Sequence, residues 1–172
     1  MANTFSYQTL VDSSKKAVIK ITGTLTNTNE TSNVKIMGRT LGGALANDSN
    51  SNVLVTAAGA VPRTHYRYTV ARVMGSVAIP SGYAQLNWDG ATQASMLNLS
   101  GTFDYNLSQG GLGVLINNAV TPNGNISMTT VGVSGECSYT LILELHKDGL
   151  DFNMGQVQRP QDFNHPPFGV TP

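Results

Sequence analysis

Apolar and polar residues alternate most clearly along residues 125–147, in two short segments joined by the glycine-containing residues 132–135. The later segment has an apolar side chain at every second position, namely Tyr139, Leu141, Leu143 and Leu145. A period of two places these side chains on one face of a β-strand. Residues 126–131 alternate too, and the glycines between the segments can form a tight reversal. The sequence therefore predicts that these two strands pair with each other as the last strand pair, with their apolar face in the core.

The same period recurs along most of the remaining chain, with turn-forming residues between the segments. Further strands are predicted at residues 5–11, 16–25, 34–37, 53–56, 64–77, 83–88, 96–107 and 112–116. Residues 64–77 are long enough for a helix, but Tyr66, Tyr68 and Val70 alternate with polar residues and favour a strand. About ten short strands at a spacing of about 8–12 residues predict an all-β sandwich or barrel.

Local features refine this prediction. Asp89-Gly90 and the Pro-Asn-Gly of residues 122–124 are turn signals that we expect to end strands. Gly101 lies where a bulge or bend is expected. Residues 38–52 are rich in Gly, Asn and Ser, so we expect a loop that is mobile or ordered only by a partner.

The character of the chain changes after Lys147, because residues 150–172 contain four of the seven prolines and show no alternation. Proline cannot donate a ladder hydrogen bond and favours extended chain. Three phenylalanines nevertheless occur in this region, at Phe152, Phe163 and Phe168. We predict a β-sandwich domain at residues 1–149 and an extended Pro-rich C-terminal arm at residues 150–172, whose phenylalanines dock on a neighbour. The alternative is a tail that folds along its own domain or is disordered.

The composition describes a neutral, hydrogen-bonding surface. Ten basic and ten acidic residues cancel, and the charged fraction of 12% is well below the usual value of about 25%. No basic field is present for nucleic acid or for an anionic membrane. No secretion signal or membrane-spanning run is recognisable. We therefore expect neither nucleic acid nor membrane as partner, and a protein that stays in the cytoplasm or in an assembly built there.

Candidate catalytic and metal-binding residues are isolated. The histidines lie far apart in the sequence, at His65, His146 and His165. Ser134 lies near glycines in what we predict to be a turn and not a nucleophile elbow, and Cys137 is expected to be a buried, unreactive thiol. The carboxylates considered for glycoside hydrolysis are Asp89, Asp104 and Glu144. Solvent-facing charges on strands explain them better, so we expect no enzyme activity, catalytic residue, metal site or cofactor.

A short basic row is the remaining candidate site. Arg63, His65 and Arg67 alternate on one face of a strand, with Tyr66 and Tyr68 on the opposite face. Arginine and tyrosine are enriched at protein interfaces. The row is therefore a candidate contact for an acidic patch on a protein partner, although an ordinary solvated face would have the same pattern.

Several segments resemble the capsid decoration, or cement, proteins of tailed bacteriophages, a family of small virion structural proteins found among marine and cyanobacterial phages. The segments are residues 7–12, 17–25, 86–90, 96–105, 110–112, 127–135 and 139–145. They span most of residues 5–147, and none of them carries a catalytic motif. The C-terminal arm and residues 38–52 have no counterpart in the resemblance.

The resemblance implies a jelly-roll-like antiparallel β-sandwich that sits on the outer capsid of the virion, after synthesis in the host cytoplasm. It implies a homotrimer that binds the major capsid protein and reinforces contacts between capsomers. It assigns no binding residues, so the contact candidates remain those found from the residues: Arg63, His65, Arg67, Phe152, Phe163 and Phe168. The alternatives are a tail, neck or fibre component of the virion, and a carbohydrate-binding β-sandwich with Trp88, Tyr83 and Tyr66 as stacking platforms.

Overall fold

The computed structural model describes residues 2–47, 53–108 and 113–153. These residues form nine β-strands and one short 3-10 turn, which confirms the all-β prediction. The strands are β1 (Thr4–Asp12), β2 (Lys16–Thr26), β3 (Asn33–Met37), β4 (Tyr68–Ala78), β5 (Tyr83–Thr92), β6 (Ala94–Leu99), β7 (Gly101–Asn106), β8 (Val120–Val131) and β9 (Glu136–Lys147).

The strands form two antiparallel sheets that pack face to face. The larger sheet has five strands in the order β1-β2-β9-β4-β7, and the smaller has four in the order β3-β8-β5-β6. Every pair of neighbouring strands is antiparallel. Without β1, the remaining strands follow the order of a jelly roll, in which the chain repeatedly changes sheet. The prediction of a jelly-roll-like β-sandwich is therefore confirmed.

The inward faces of the two sheets share one hydrophobic core. Alternate residues of β9 are buried as the sequence predicts, namely Tyr139, Leu141, Leu143 and Leu145. The smaller sheet adds Leu86, Trp88, Ile126 and Met128 to the same cluster. Burial of one such side chain contributes about 1.5–3 kcal/mol. The alternating pattern is thus the main reason that these strands pack as they do.

Strands β8 and β9 do not form the hairpin predicted within residues 125–147. β8 lies between β3 and β5 in the smaller sheet, whereas β9 lies between β2 and β4 in the larger sheet. Residues 132–135 cross between the sheets, with Gly132 and Gly135 at φ values of 78° and 75°. Alternation identifies the apolar face of a strand, but it does not show whether the next strand is a neighbour in the sheet or lies across the core.

The strand predicted at residues 96–107 is in fact two strands in different sheets. β6 ends the smaller sheet, and β7 ends the larger one. Gly101 begins β7 with a φ of 62°, a left-handed conformation that glycine adopts without strain. The bend expected at Gly101 is therefore the point at which the chain changes sheet.

The two turn predictions at Asp-Gly and Pro-Asn-Gly are wrong. Asp89 and Gly90 lie inside β5, and residues 122–124 lie inside β8. The pairing of these strands is irregular between Trp88 and Gly90, and Gly124 has a φ of 75°. The same residue types that favour hairpin turns also suit irregularities within long strands, where the backbone departs from regular strand geometry.

Residues 38–47 pack against their own domain. Gly38–Thr40 form the 3-10 turn, and the following apolar side chains are buried, namely Leu41, Ala44, Leu45 and Ala46. The prediction of a mobile or partner-ordered loop is therefore wrong for this part. Residues 48–52 lie outside the described residues.

Two predicted strands are represented only by isolated bridges in the described residues. Within residues 53–56, Leu54 bridges to Leu45, and within residues 112–116, Leu115 bridges to Val70. Single bridges tie these segments to the sandwich without adding strands to either sheet.

Candidate functional site

The basic row does not lie on a strand, which corrects the prediction. β4 begins at Tyr68, so Arg63, His65 and Arg67 precede it. The preceding residues wrap around the buried hydroxyl of Tyr66, which accepts the Arg63 N–H at 3.0 Å and donates to the Leu45 carbonyl at 2.9 Å. These two hydrogen bonds satisfy the buried hydroxyl and tie the segment before β4 to Leu45.

Both arginines of the row bind the carboxylate of Asp151. Arg63 donates to Oδ1 at 2.7 Å, and Arg67 donates from Nε to Oδ2 at 2.6 Å and from Nη2 to Oδ1 at 3.3 Å. The Arg67 backbone N–H also donates to Oδ2 at 2.9 Å. Arg63 is fixed further by the carbonyls of Ala46 and Leu150. We call Arg63, Arg67 and Asp151 the Asp151 clamp.

Hydrogen bonds keep Asp151 ionised although its side chain is buried. Burial alone would raise the pKa of this carboxyl group, but the hydrogen bonds from Arg67 and Arg63 outweigh burial and hold the pKa below its ordinary value. The same contact raises the pKa of the Arg67 guanidinium. Two guanidinium groups face one carboxylate, so the clamp retains a net positive charge.

Phe152 is part of the core of its own domain, which corrects its prediction as an anchor for a neighbour. Its ring is fully buried and lies 5.7 Å from the ring of Tyr66 and 6.5 Å from that of Tyr68. Its backbone bridges to Ala44. The packed domain thus continues past the predicted boundary at residue 149. Phe163 and Phe168 lie outside the described residues.

A cavity of about 430 Å³ lies beside the clamp, where β4 begins and β9 ends. Its wall includes His65, Arg67, Tyr68, Thr69, Ile116, Asn117, His146, Lys147 and Asp148. Among the residues that the structure describes, two buried side-chain atoms have no hydrogen-bond partner, His65 Nδ1 and Asn117 Nδ2. Both belong to this wall. The amide of Asn117 is oriented by its Oδ1, which accepts the Ala119 N–H at 3.0 Å.

Exposed apolar side chains lie close to the clamp in the chain or on the wall of the adjoining cavity. Ile116, Val61 and Leu150 have the highest fractional exposure of the large apolar residues described, at 67%, 62% and 61%. Leu150 precedes Asp151, and Ile116 shares the cavity wall with Arg67. We call this region, formed by the Asp151 clamp, the cavity and these three side chains, the clamp end. Apolar side chains mixed with arginine are typical of protein-binding surfaces.

The carboxylates considered for glycoside hydrolysis are each held by other polar groups. Asp104 accepts two hydrogen bonds from Arg72, at 2.8 and 2.6 Å, and these lower its pKa. Burial acts to raise the pKa of Asp89, but hydrogen bonds from Asn123 and Gln93 lower it overall. Glu144 lies 3.6 Å from the Lys16 ammonium. A general acid requires a raised pKa, which is the opposite of what Asp89 and Asp104 have.

Two of the three aromatic residues suggested as carbohydrate platforms are in the core. Trp88 and Tyr66 are buried, and Trp88 packs edge-on against Tyr68 at 5.5 Å. Tyr83 is partly buried. Trp88 faces inward because it shares the inward parity of Leu86 on β5. A sugar ring could not stack on either buried side chain, so the platform prediction is wrong for Trp88 and Tyr66.

The remaining candidate groups are the single cysteine and the possible metal ligands. The predicted burial of Cys137 is confirmed. Within the same residues, no group of three or more His, Cys, Asp or Glu side chains is placed to hold a metal ion. The sequence did not predict the role of Asp151, because its arginine partners lie more than 80 residues away in the chain. It did not predict the role of Asn117 either, because that role follows from the position of its side chain in the cavity wall.

Comparisons with protein-family models, curated proteins and solved structures find no match for the chain. No helix in residues 2–47, 53–108 or 113–153 is long and apolar enough to cross a membrane. Jelly rolls occur in viral capsid proteins, lectins and cupins, so the fold alone does not define a function. Arguments about function therefore depend on the clamp end.

Proposed function

We propose that the protein is a non-enzymatic virion structural protein that binds the outside of a bacteriophage capsid and reinforces contacts between capsomers. The observation that carries the proposal is the clamp end, where the exposed side chains of Ile116 and Leu150 lie beside two arginines that are fixed by Asp151. The resemblance of the sequence to capsid decoration proteins supplies the identity of the partner, the major capsid protein.

The geometry of the clamp end suits a protein partner. Fully burying a side chain such as Ile116 or Leu150 contributes about 1.5–3 kcal/mol. Arg63 and Arg67 are held in place before binding, so less side-chain entropy is lost when a partner covers them. Charge does not select the partner further, because Asp148 beside Arg67 offsets the net positive charge of the clamp.

A neutral surface and weak single contacts are compatible with this role. When many copies occupy a repeating shell, contacts that are weak individually add up across the lattice. No single site then needs high affinity. The expected homotrimer would act in the same way, since linked copies bind more strongly than separate ones.

Copy number in purified virions tests the proposal most simply. Quantitative mass spectrometry should find the protein in hundreds of copies per particle, because a decoration protein repeats with the capsomers. A handful of copies would favour the tail, neck or fibre alternative. Absence from the virion would reject both.

The role of the clamp end can be tested by capsid binding of a matched pair of variants. Leu150→Lys places a charge in the proposed contact and should weaken binding at least about tenfold, equivalent to about 1.4 kcal/mol. Val131→Lys is the control, because Val131 is also exposed. β8 begins shortly after Ile116, which belongs to the clamp end, and Val131 lies at the other end of this strand. Equal binding by both variants would exclude the clamp end as the docking surface.

A further inference from the structure

β1 is an unusually exposed edge strand. It ends the larger sheet, and in the described part of the chain it pairs with β2 alone. All nine of its residues are exposed. Its four large apolar side chains have fractional exposures between 41% and 45%, namely Phe5, Tyr7, Leu10 and Val11. An exposed edge offers unpaired backbone groups to another strand.

The other edge strands are shorter than β1. β3 has five residues, and β6 and β7 have six each, whereas β1 has nine. Proteins commonly protect edges with lysine, proline, bulges or short strands. β1 has no lysine, arginine or proline, and its pairing is irregular only between Thr9 and Val11. Most of its edge therefore lacks the usual protection against pairing.

The aromatic side chains of β1 face the inner side of the sandwich but are only partly covered. Tyr7 is opposite Ile21 of β2, whose side chain is buried, so Tyr7 shares the inward face. The Phe5 ring covers the Lys35 ammonium at 4.0 Å. The larger sheet has one strand more than the smaller one. The fifth strand thus carries an inward aromatic row that its own domain leaves half exposed.

We propose that β1 pairs antiparallel with β1 of a second copy, about a two-fold axis near Tyr7. In that register Tyr7 faces Tyr7 of the second copy, and Phe5 faces Thr9. Ser6 then faces Gln8 on the outer side. Residues of the same face meet each other throughout, as an antiparallel ladder requires. The two larger sheets become one continuous sheet.

The charge pattern suits a second copy as the occupant. The only charged residue of β1 is Asp12, at its end, and its carboxylate is already bound by Lys147. In the proposed register Asp12 lies outside the paired residues, so no like charges face each other. A strongly acidic or basic strand would lose hydration at this edge without gaining an ion pair. A neutral strand of the same sequence meets no such penalty.

The size of the contact predicts a weak dimer. The exposed parts of the four apolar side chains amount to on the order of 300 Å² per copy, given about 150–250 Å² for a whole aromatic side chain. A standard interface buries about 800 Å² per partner. Dimerisation should therefore depend on concentration. A two-fold contact gives a dimer and not the trimer that the resemblance implies, and it does not require capsid binding.

Sedimentation equilibrium of the full chain, from micromolar to millimolar concentration, tests this contact. The apparent mass should rise from 18.2 kDa towards twice that value. Tyr7→Lys should raise the dissociation constant at least about tenfold. Tyr105→Lys is the matched control, because Tyr105 is 40% exposed on β7, the opposite edge strand of the same sheet.

Cross-linking provides a second measurement that does not depend on a destabilising charge. Tyr7→Cys adds one exposed thiol to a chain whose single native cysteine, Cys137, is buried. A short bis-maleimide should cross-link Tyr7→Cys into dimers, and should leave Tyr105→Cys monomeric. A monomer at every concentration, a trimer, or equal cross-linking of the two variants would overturn the proposal.

Discussion

Asp151 is the residue on which the clamp end depends. Its carboxylate binds Arg63 and Arg67 and also accepts the Arg67 backbone N–H. It lies directly before Phe152, whose ring is in the core. One carboxylate thus joins the segment before β4 to the segment after β9, and it fixes both arginines that the proposed docking surface presents.

Replacing Asp151 by asparagine should destabilise the domain. Asp151→Asn keeps the shape of the side chain but removes the charge that two guanidinium groups face, and we expect a loss of roughly 2–3 kcal/mol of unfolding free energy. Urea unfolding measures this loss. Asp104→Asn is the control, because the Asp104–Arg72 pair is exposed and such pairs contribute little. Equal losses in both variants would contradict a structural role for the clamp.

Low pH should lower the free energy of unfolding partly through protonation of Asp151. The pKa of Asp151 is lower in the folded state than its ordinary value of 3.8, so the unfolded state binds a proton more readily. Its contribution to stability is present above that ordinary value and is lost as the pH falls through the folded pKa. Urea midpoints measured between neutral pH and pH values below 3.8 should therefore fall less in Asp151→Asn than in the unaltered protein. Parallel curves would contradict this assignment.

At the scale of the strands, the pairing of β2 with β9 depends on a glycine. Gly23 lies opposite Tyr139, and the Tyr139 ring occupies the space where a Cβ on Gly23 would be. Glycine lets an aromatic ring of the neighbouring strand lie flat over the backbone. The Tyr139 hydroxyl can then reach Glu30, 3.3 Å away in the core.

Gly23→Ala should therefore destabilise the sandwich, because its new Cβ would meet a ring atom of Tyr139 at 2.2 Å. We expect roughly 1–3 kcal/mol, the usual effect of overpacking a core. Thr24→Ala, at an exposed position on the same strand, should have a much smaller effect. Chemical unfolding of both variants measures the difference. If Gly23→Ala is as stable as Thr24→Ala, the close packing of Tyr139 on Gly23 does not contribute to the stability of the sandwich.

The sequence predicts most strands because alternation reflects burial at each position, as along β2 and β9. It does not predict sheet membership: β8 and β9 are consecutive and apolar on one face, yet they lie in different sheets. The clamp was also beyond prediction, since Arg67 and Asp151 are 84 residues apart. Nor does a pattern distinguish the buried Lys35–Glu30 ion pair, 2.8 Å long, from a solvated one.

At the scale of the whole molecule, the boundary between domain and C-terminal arm lies later than residue 149. Truncation after Gly149 removes Asp151 and Phe152, both buried, whereas truncation after Asn153 keeps them. Loss of the Phe152 ring alone should destabilise the domain by about 3–5 kcal/mol. Thermal unfolding should therefore show a large loss for the shorter chain and a small one for the longer. Equal stability of the two chains would contradict this boundary.

The longer of these two truncated chains also isolates the contribution of the arm to docking. A chain that ends at Asn153 retains the clamp end, so any loss of capsid binding belongs to residues 154–172. The prediction that the arm, including Phe163 and Phe168, contacts a neighbour requires weaker binding by this chain. Unchanged capsid occupancy would remove the arm from the proposed contact and leave the clamp end to act alone.

Cryo-electron microscopy of the virion tests the proposed function most directly, because it shows both the location of the protein and the face that docks. We expect two-sheet sandwiches repeated over the outer capsid, with Ile116, Leu150 and the Asp151 clamp against the major capsid protein. A sandwich found only at the tail or neck, or one whose clamp end faces solvent, would contradict it.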